Sequence, residues 1–137
     1  GPPLTGMGIW YLDSSALVKL VAVEAHSAAM YRWQEEAEAR LVTCDLGEAE
    51  VLRAVRRVDT ALIDRARAVL STIDIVPLDR SHLSRAALIA PAHLRTLDAI
   101  HVVTALDLGD RLKGFVTYDD RQAAAARNHG MHVESPV

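Results

Sequence analysis

A single cysteine in 137 residues, Cys44, leaves no internal disulfide and no thiolate metal cluster. That excludes zinc fingers and ribbons and fits a reducing cytoplasm. Aromatic residues are scarce, at 4% of the chain, too few for a row of base-stacking platforms. No apolar run approaches the roughly 18 residues of a membrane span, and no charged-then-apolar leader opens the chain, so no membrane role is expected. Also missing are a His-Glu-x-x-His pair, a Gly-x-Gly-x-x-Gly turn, a phosphate-binding lysine loop and a Gly-x-Ser-x-Gly elbow. Zinc hydrolases, dinucleotide enzymes, P-loop enzymes and serine hydrolases are thereby set aside. There is little lysine either: two residues, Lys19 and Lys113, against thirteen arginines, within a net charge of −3. Charge of that sign, spread evenly, argues against a nucleic-acid partner.

What remains is enough for one globular domain with a sizeable core, half of its residues being hydrophobic and 24% charged. Residues 1–6 (GPPLTG) read as a remnant of an expression vector, with Met7 the native start and 7–137 a single domain. Short runs rich in β-branched or aromatic residues predict strands at Ile9–Leu12, Leu41–Thr43, Ile73–Val76, Phe115–Tyr118 and Met131–Val133. Helical periodicity predicts helices at Ala16–Val21, Ser27–Ala39, Leu46–Val58, Ala61–Leu70, Ser81–Ile89, Leu97–Leu108 and Arg121–Asn128. Strand alternating with helix at this spacing argues for a three-layer α/β/α sandwich around a mostly parallel sheet of about five strands. Thr96 is expected to N-cap its helix, Gly109 and Gly130 to end theirs, and Pro77 to stop the middle strand.

In open parallel sheets ligands bind beyond the carboxyl ends of the strands. Asp13 follows the first predicted strand, with Ser14 and Ser15 behind it, and Asp119 follows the fourth. Asp98 stands in the first turn of a strongly apolar helix, and Glu50 on a partly apolar helix face. Singly, each has an ordinary use. Asp13 and Asp119 can cap helices, Asp98 can complement a helix dipole, and Glu50 can pair with Arg53 or Arg57. Together, four acids from four segments fall where one end of the sheet collects them. Such a cluster repels itself unless cations neutralise it. An all-oxygen donor set suits Mg²⁺ or Mn²⁺, which make water a better nucleophile and stabilise the leaving oxygen of a phosphodiester. Ser15 and Thr117 are placed to orient water there.

Four blocks, Tyr11-Leu-Asp-Ser-Ser-Ala-Leu-Val-Lys-Leu20, Glu48-Ala-Glu-Val-Leu-Arg-Ala-Val-Arg-Arg57, Leu94-Arg-Thr-Leu-Asp-Ala-Ile-His-Val-Val-Thr-Ala105 and Val116-Thr-Tyr-Asp-Asp-Arg121, carry a resemblance. In their order and over nearly the whole chain, the sequence resembles PIN-domain ribonucleases, specifically the VapC-type toxins of bacterial type II toxin–antitoxin pairs. The family's acidic quartet falls on Asp13, Glu50, Asp98 and Asp119, with Ser15 and Thr117 as its accompanying hydroxyls. The resemblance implies Mg²⁺- or Mn²⁺-dependent cleavage of RNA, such as tRNA or rRNA, a homodimer, and inhibition by a cognate VapB-like antitoxin in the cytoplasm. Glu48 offers a second acid, but it lies about 200° around the helix from Glu50, and the family's Glu-x-x-Arg-Ala run aligns on Glu50. Asp120 doubles Asp119 and reads as a solvated or capping acid, or as a supporting ligand.

Two other readings carry weight: a non-catalytic PIN module that binds RNA or a protein partner, and a metal-dependent DNA nuclease on the same scaffold. A haloacid-dehalogenase-type phosphatase needs Asp-x-Asp after the first strand, where Ser15 stands, and a receiver domain needs a lysine after its last strand. Arg53, Arg56 and Arg57 follow Glu50 on one helix, making Arg53 and Arg57 candidate RNA contacts, or simply a solvated face. His101, three residues beyond Asp98, is expected to be a buried histidine satisfied by backbone, or a partner of the Asp98 carboxylate; Cys44 is expected to pack. An exposed aromatic among Met30, Tyr31 and Trp33 would mark a partner surface. Setting the four acids aside leaves 14 acids against 15 basic residues, a balance of +1. The net charge is therefore an average over an acidic centre and a near-neutral, arginine-rich remainder.

Overall fold

The computed structural model describes residues 8–38 and 40–137; the expected vector remnant and the end of the second helix at Ala39 lie outside them. The elements run β1 (Ile9–Leu12), α1 (Ser14–Val21), α2 (Ser27–Ala37), β2 (Arg40–Cys44), α3 (Asp45–Val58), α4 (Leu62–Leu70), β3 (Asp74–Val76), α5 (Arg80–Leu88), α6 (Thr96–Leu106), β4 (Leu112–Val116), α7 (Asp120–Asn128) and β5 (Val133–Glu134). A single 3₁₀ turn, Gly109–Arg111, leads into β4.

The strands form one sheet in the order β3-β2-β1-β4-β5, and its four pairings are parallel. Period-two alternation decides which core each side chain joins. Ile9 and Tyr11 point with Phe115 toward Val102 and Ala105 of α6 and Ala125 and Ala126 of α7. Leu12 joins Val116 and the buried faces of α1, α3 and α4 on the other side, with Met30 of α2 beside them. The result is the three-layer α/β/α sandwich expected from the sequence, with α1–α4 on one face and α5–α7 on the other. Each fully buried aliphatic side chain stabilises it by roughly 1.5–3 kcal/mol.

From β1 the chain steps outward through β2 to β3, then returns to place β4 on the opposite side of β1. Strand order therefore reverses between β1 and β4, where a parallel sheet opens its crevice. Leu12 pairs with Val116, and the Asp13 N–H donates to Val116 O at 3.3 Å. Asp13 thus stands abreast of Thr117.

Three expectations need correction. The fourth strand starts at Leu112 and ends at Val116, so Thr117 and Tyr118 lie beyond it. Lys113 and Gly114 hid its first half, and Gly114 is required: a Cβ there would sit 2.5 Å from Trp10 Cζ3 and 2.9 Å from His132 O. Arg95, in extended backbone and without a side-chain cap bond, is the N-cap of α6, and Thr96 is the first helical residue. Gly109, at φ +59°, opens the 3₁₀ turn, while α6 ends at Asp107 in right-handed backbone. Of the aromatics of α2, Trp33 is partly buried and Tyr31 stays 37% exposed while its hydroxyl is engaged within the fold. Trp33 packs edge-on against Trp10 at 5.1 Å, and the Tyr31 hydroxyl donates to Leu20 O while accepting from Arg65.

Candidate active site

Asp13 is 4% exposed and both its oxygens are engaged. Ser15 Oγ donates to Oδ1 at 2.6 Å, and Thr117 Oγ1 donates to Oδ2 at 2.5 Å. The Ala16 N–H also donates to Oδ1, so Asp13 caps α1 as well. The two hydroxyls accept in turn from backbone: Tyr118 N–H reaches Ser15 Oγ at 2.9 Å and Asp119 N–H reaches Thr117 Oγ1 at 3.0 Å. One small network therefore fixes the end of β1 against the end of β4. Burial pushes the Asp13 carboxyl up, and the hydrogen bonds from Ser15 and Thr117 hold that rise in check. Ser15 and Thr117, expected to orient water, direct their hydroxyl protons to Asp13.

Asp119 caps α7, its Oδ1 accepting from the Arg121 and Gln122 N–H groups. Asp98 projects from the first turn of α6. Its carboxyl is pushed up by partial burial and by the neighbouring charges of Asp119 and Glu50, against the pull of His101 and Arg95. The acids of three separate helices thus feel one another, as clustering predicts.

Glu50 turns from Arg53 and Arg57 to His101. His101 is 2% exposed; its Nε2–H donates to Glu50 Oε1 at 2.6 Å, and Nδ1 lies 2.7 Å from Tyr11 Oη. Burial alone would depress the imidazole pKa, but hydrogen bonds with Cys44 and Glu50 lift it to about 10. Through its two ring nitrogens His101 ties α6 to α3 and β1. Cys44 Sγ stands farther off, at 3.9 Å. Neither expected arrangement of His101, backbone contact or a bond to Asp98, is the one found. Tyr11 and His101 were missed as a supporting pair because only the packing of α6 against α3 and β1 reveals them; the sole sequence signal was a histidine in an apolar helix.

Removing His101 strands a carboxylate and a buried phenol. His101→Ala is therefore expected to cost about 3 kcal/mol, the low end for breaking a buried pair, because Glu50 is partly solvated. Glu50→Gln should cost less, since its amide oxygen still accepts from the ring. Urea unfolding of both variants checks the order. Glu50 also depends on Gly47, one turn earlier, where an added Cβ would sit 2.1 Å from Oγ1 of the buried Thr43 and 3.5 Å from His101 Cε1. Gly47→Ala is expected to cost about 1–3 kcal/mol by overpacking, and thermal unfolding reads it.

Of the remaining candidates, Arg53 and Arg57 are exposed on α3, Asp120 is exposed in the first turn of α7, and Glu48 is half-buried without taking Glu50's place at His101. Among the described residues, no three His, Cys, Asp or Glu side chains stand close enough to hold one ion. Donor chemistry and spacing together fit a hard cation that keeps much of its water and needs only one or two carboxylates, as Mg²⁺ does. One or two of Asp98, Asp119 and Glu50 would hold it, with Asp13 behind them.

The PIN domain profile matches residues 10–128. Ribonuclease VapC46 of Mycobacterium tuberculosis strain ATCC 25618 / H37Rv is 41% identical over 130 residues, 95% of this chain and 99% of the relative. Ribonuclease VapC47 of strain CDC 1551 / Oshkosh is 37% identical over 92% of this chain and 96% of its own length. Among solved structures, M. tuberculosis VapC20, described as a sarcin–ricin loop cleaving toxin, matches with a TM-score of 0.73 at 14% identity, over 85% of this chain and 94% of that one. A toxin–antitoxin complex from Klebsiella pneumoniae gives 0.70 at 21% identity, over 93% and 97%. These two speak to the fold. The chain belongs to the PIN-domain family. Within it, the relatives sharing about two-fifths of its residues are VapC ribonucleases.

Proposed function

We propose that this protein is a Mg²⁺- or Mn²⁺-dependent endoribonuclease, the toxin of a toxin–antitoxin pair. It works in the cytoplasm as a homodimer and is silenced by a cognate antitoxin. The observation that carries this reading is Asp98, in the first turn of α6 and within reach of the charges of Asp119 and Glu50, in a fold whose strand order reverses beside the buried Asp13. The VapC relatives named as ribonucleases and the K. pneumoniae complex support it, and no helix among the described residues is long and apolar enough to cross a membrane.

The chain's own contribution is placement. When bound, a divalent ion lowers the pKa of water and neutralises the phosphodiester and its leaving oxygen. Asp98 and Asp119 present carboxylate oxygens to the crevice from two helix starts. His101 holds one oxygen of Glu50, leaving Oε2 for the crevice. Asp13, clamped by Ser15 and Thr117, keeps a fixed charge at the crevice floor without spending side-chain freedom.

Expression of the wild-type chain in bacteria should arrest growth and create new RNA 5′ ends at discrete sites, and co-expression of the antitoxin encoded beside it should reverse both. Normal growth with an unchanged RNA-end profile at confirmed expression would contradict the proposal.

A further inference from the structure

A cleft of about 500 Å³ opens beside Asp98, between the loop preceding α6 and the outer face of α7. That volume lies within the roughly 300–1,000 Å³ of small-molecule sites. Its walls include Arg95, Arg121, His93 and Asn128, and Ala125 lies among its apolar lining. Arg40 and Arg85 pair with Asp74 and Asp107, but the guanidinium groups of Arg95 and Arg121 make no ion pair among the described residues. The two outnumber the single carboxylate, Asp98, that marks the junction with the acidic crevice.

Two further features suit an anion. The first turn of α6 has no side-chain cap, since Arg95 is its N-cap, so its free N–H groups add positive potential at that end of the cleft. The walls are also fixed in advance. His129 Nε2–H donates to Ala90 O at 2.6 Å, tying the loop to the end of α7. Leu94 N–H donates to Pro91 O at 3.0 Å, closing the turn. The backbone of Arg121 is held by its amide N–H, which donates to Asp119 Oδ1.

We propose that this cleft is a nucleotide subsite, which takes the RNA nucleotide next to the scissile phosphate with its phosphate between Arg95 and Arg121 and its base against Asn128 and His93. A guanidinium fork matches phosphate oxygens. An amide offers a donor and an acceptor to a base edge, and an imidazole face can stack on an unpaired base. The subsite gives the enzyme a contact that discriminates among bases within a few ångströms of the chemistry, in a chain otherwise poor in stacking aromatics. It rests on the ribonuclease reading of the acidic crevice.

The test titrates ¹⁵N-labelled full-length protein, in EDTA, with each of the four nucleoside 5′-monophosphates, inorganic phosphate and a hexaglutamate peptide. The expected result is millimolar binding of monophosphates that shifts the amides of Leu97, Asp98, Arg121 and Asn128. Arg95→Ala/Arg121→Ala should weaken it roughly tenfold or more, and Asn128→Ala should change the ranking of the four bases. With cleavable RNA, the arginine variants should raise KM roughly tenfold with a much smaller fall in kcat. Nucleotide shifts confined to other surfaces, identical responses to phosphate and all four nucleotides, or a response to the acidic peptide alone would overturn the proposal. Nucleotide binding in the cleft of a wild-type protein that cleaves no RNA would instead strike the ribonuclease reading, and with it the substrate role of the subsite, leaving a nucleotide-binding cleft.

Discussion

Asp98→Asn is expected to cut RNA cleavage by a factor of about 10²–10³, as for loss of a preorganised electrostatic group, while leaving the protein folded and slightly more stable. The two effects share a cause. Partial burial and the charges of Asp119 and Glu50 raise the Asp98 carboxyl above its ordinary value, so its ionised form is disfavoured in the folded state. Without a cation, Asp98 therefore destabilises the fold above its folded pKa, and the penalty fades as pH falls through that value and the group protonates. In EDTA at pH 7 the asparagine variant should be more stable, by less than about 1 kcal/mol because the group is largely solvated. The advantage should shrink in acid and reverse when Mn²⁺ stabilises only the wild type. Urea unfolding at pH 7 and pH 4, with EDTA and with Mn²⁺, measures all of this. An asparagine variant less stable than wild type in EDTA at pH 7 would mean that Asp98 has an uncounted structural partner.

Asp13 should behave differently, because it does two jobs. Asp13→Ala removes the α1 cap, opens space in a buried site and takes the acceptor from two hydroxyls. Loss of the cap alone costs about 0.5–2 kcal/mol. Ser15 and Thr117 retain each other at 3.2 Å and their backbone donors, and removing a buried charge returns part of the loss. A net cost of about 2 kcal/mol is expected, together with loss of cleavage as large as for Asp98. Asp13→Asn keeps the cap and one acceptor, so it should be equally inactive but closer to wild type in stability. Circular dichroism melts alongside cleavage assays separate the three proteins; an active Asp13→Asn would remove this carboxylate from the chemistry.

These contrasts show which parts of the molecule the sequence revealed. Local patterns carried the fold: β-branched runs marked the strands, and the helices differ from the predicted spans mostly by one or two residues, because 3.6-residue periodicity is a local signal. The fourth strand was displaced where Lys113 and Gly114 broke that signal for a tertiary reason, the room needed by Trp10. The position of Asp13 and Asp119 after two strands was also local, and the structure shows that capping and a place at the crevice are compatible in both. Pairings across the fold were not legible. Nothing in the spacing of α3 or α6 foretold that Glu50 would choose His101 over Arg53 and Arg57, or that Tyr11 would back that histidine. Those choices depend on which helix faces meet over the sheet. Nor did periodicity show that the loop before α6 would wall a cleft with α7.

The central claim is that the acids gathered at the β1–β4 crevice cut RNA with the help of a divalent ion. The most direct measurement incubates purified protein with total bacterial RNA in EDTA, in Mg²⁺ and in Mn²⁺, beside Asp98→Asn, and maps the 5′ ends produced. Discrete new ends with either ion, absent in EDTA and absent in the variant, are the predicted result. Equal cleavage by wild type and Asp98→Asn, or no cleavage by folded wild type with either ion, would contradict it.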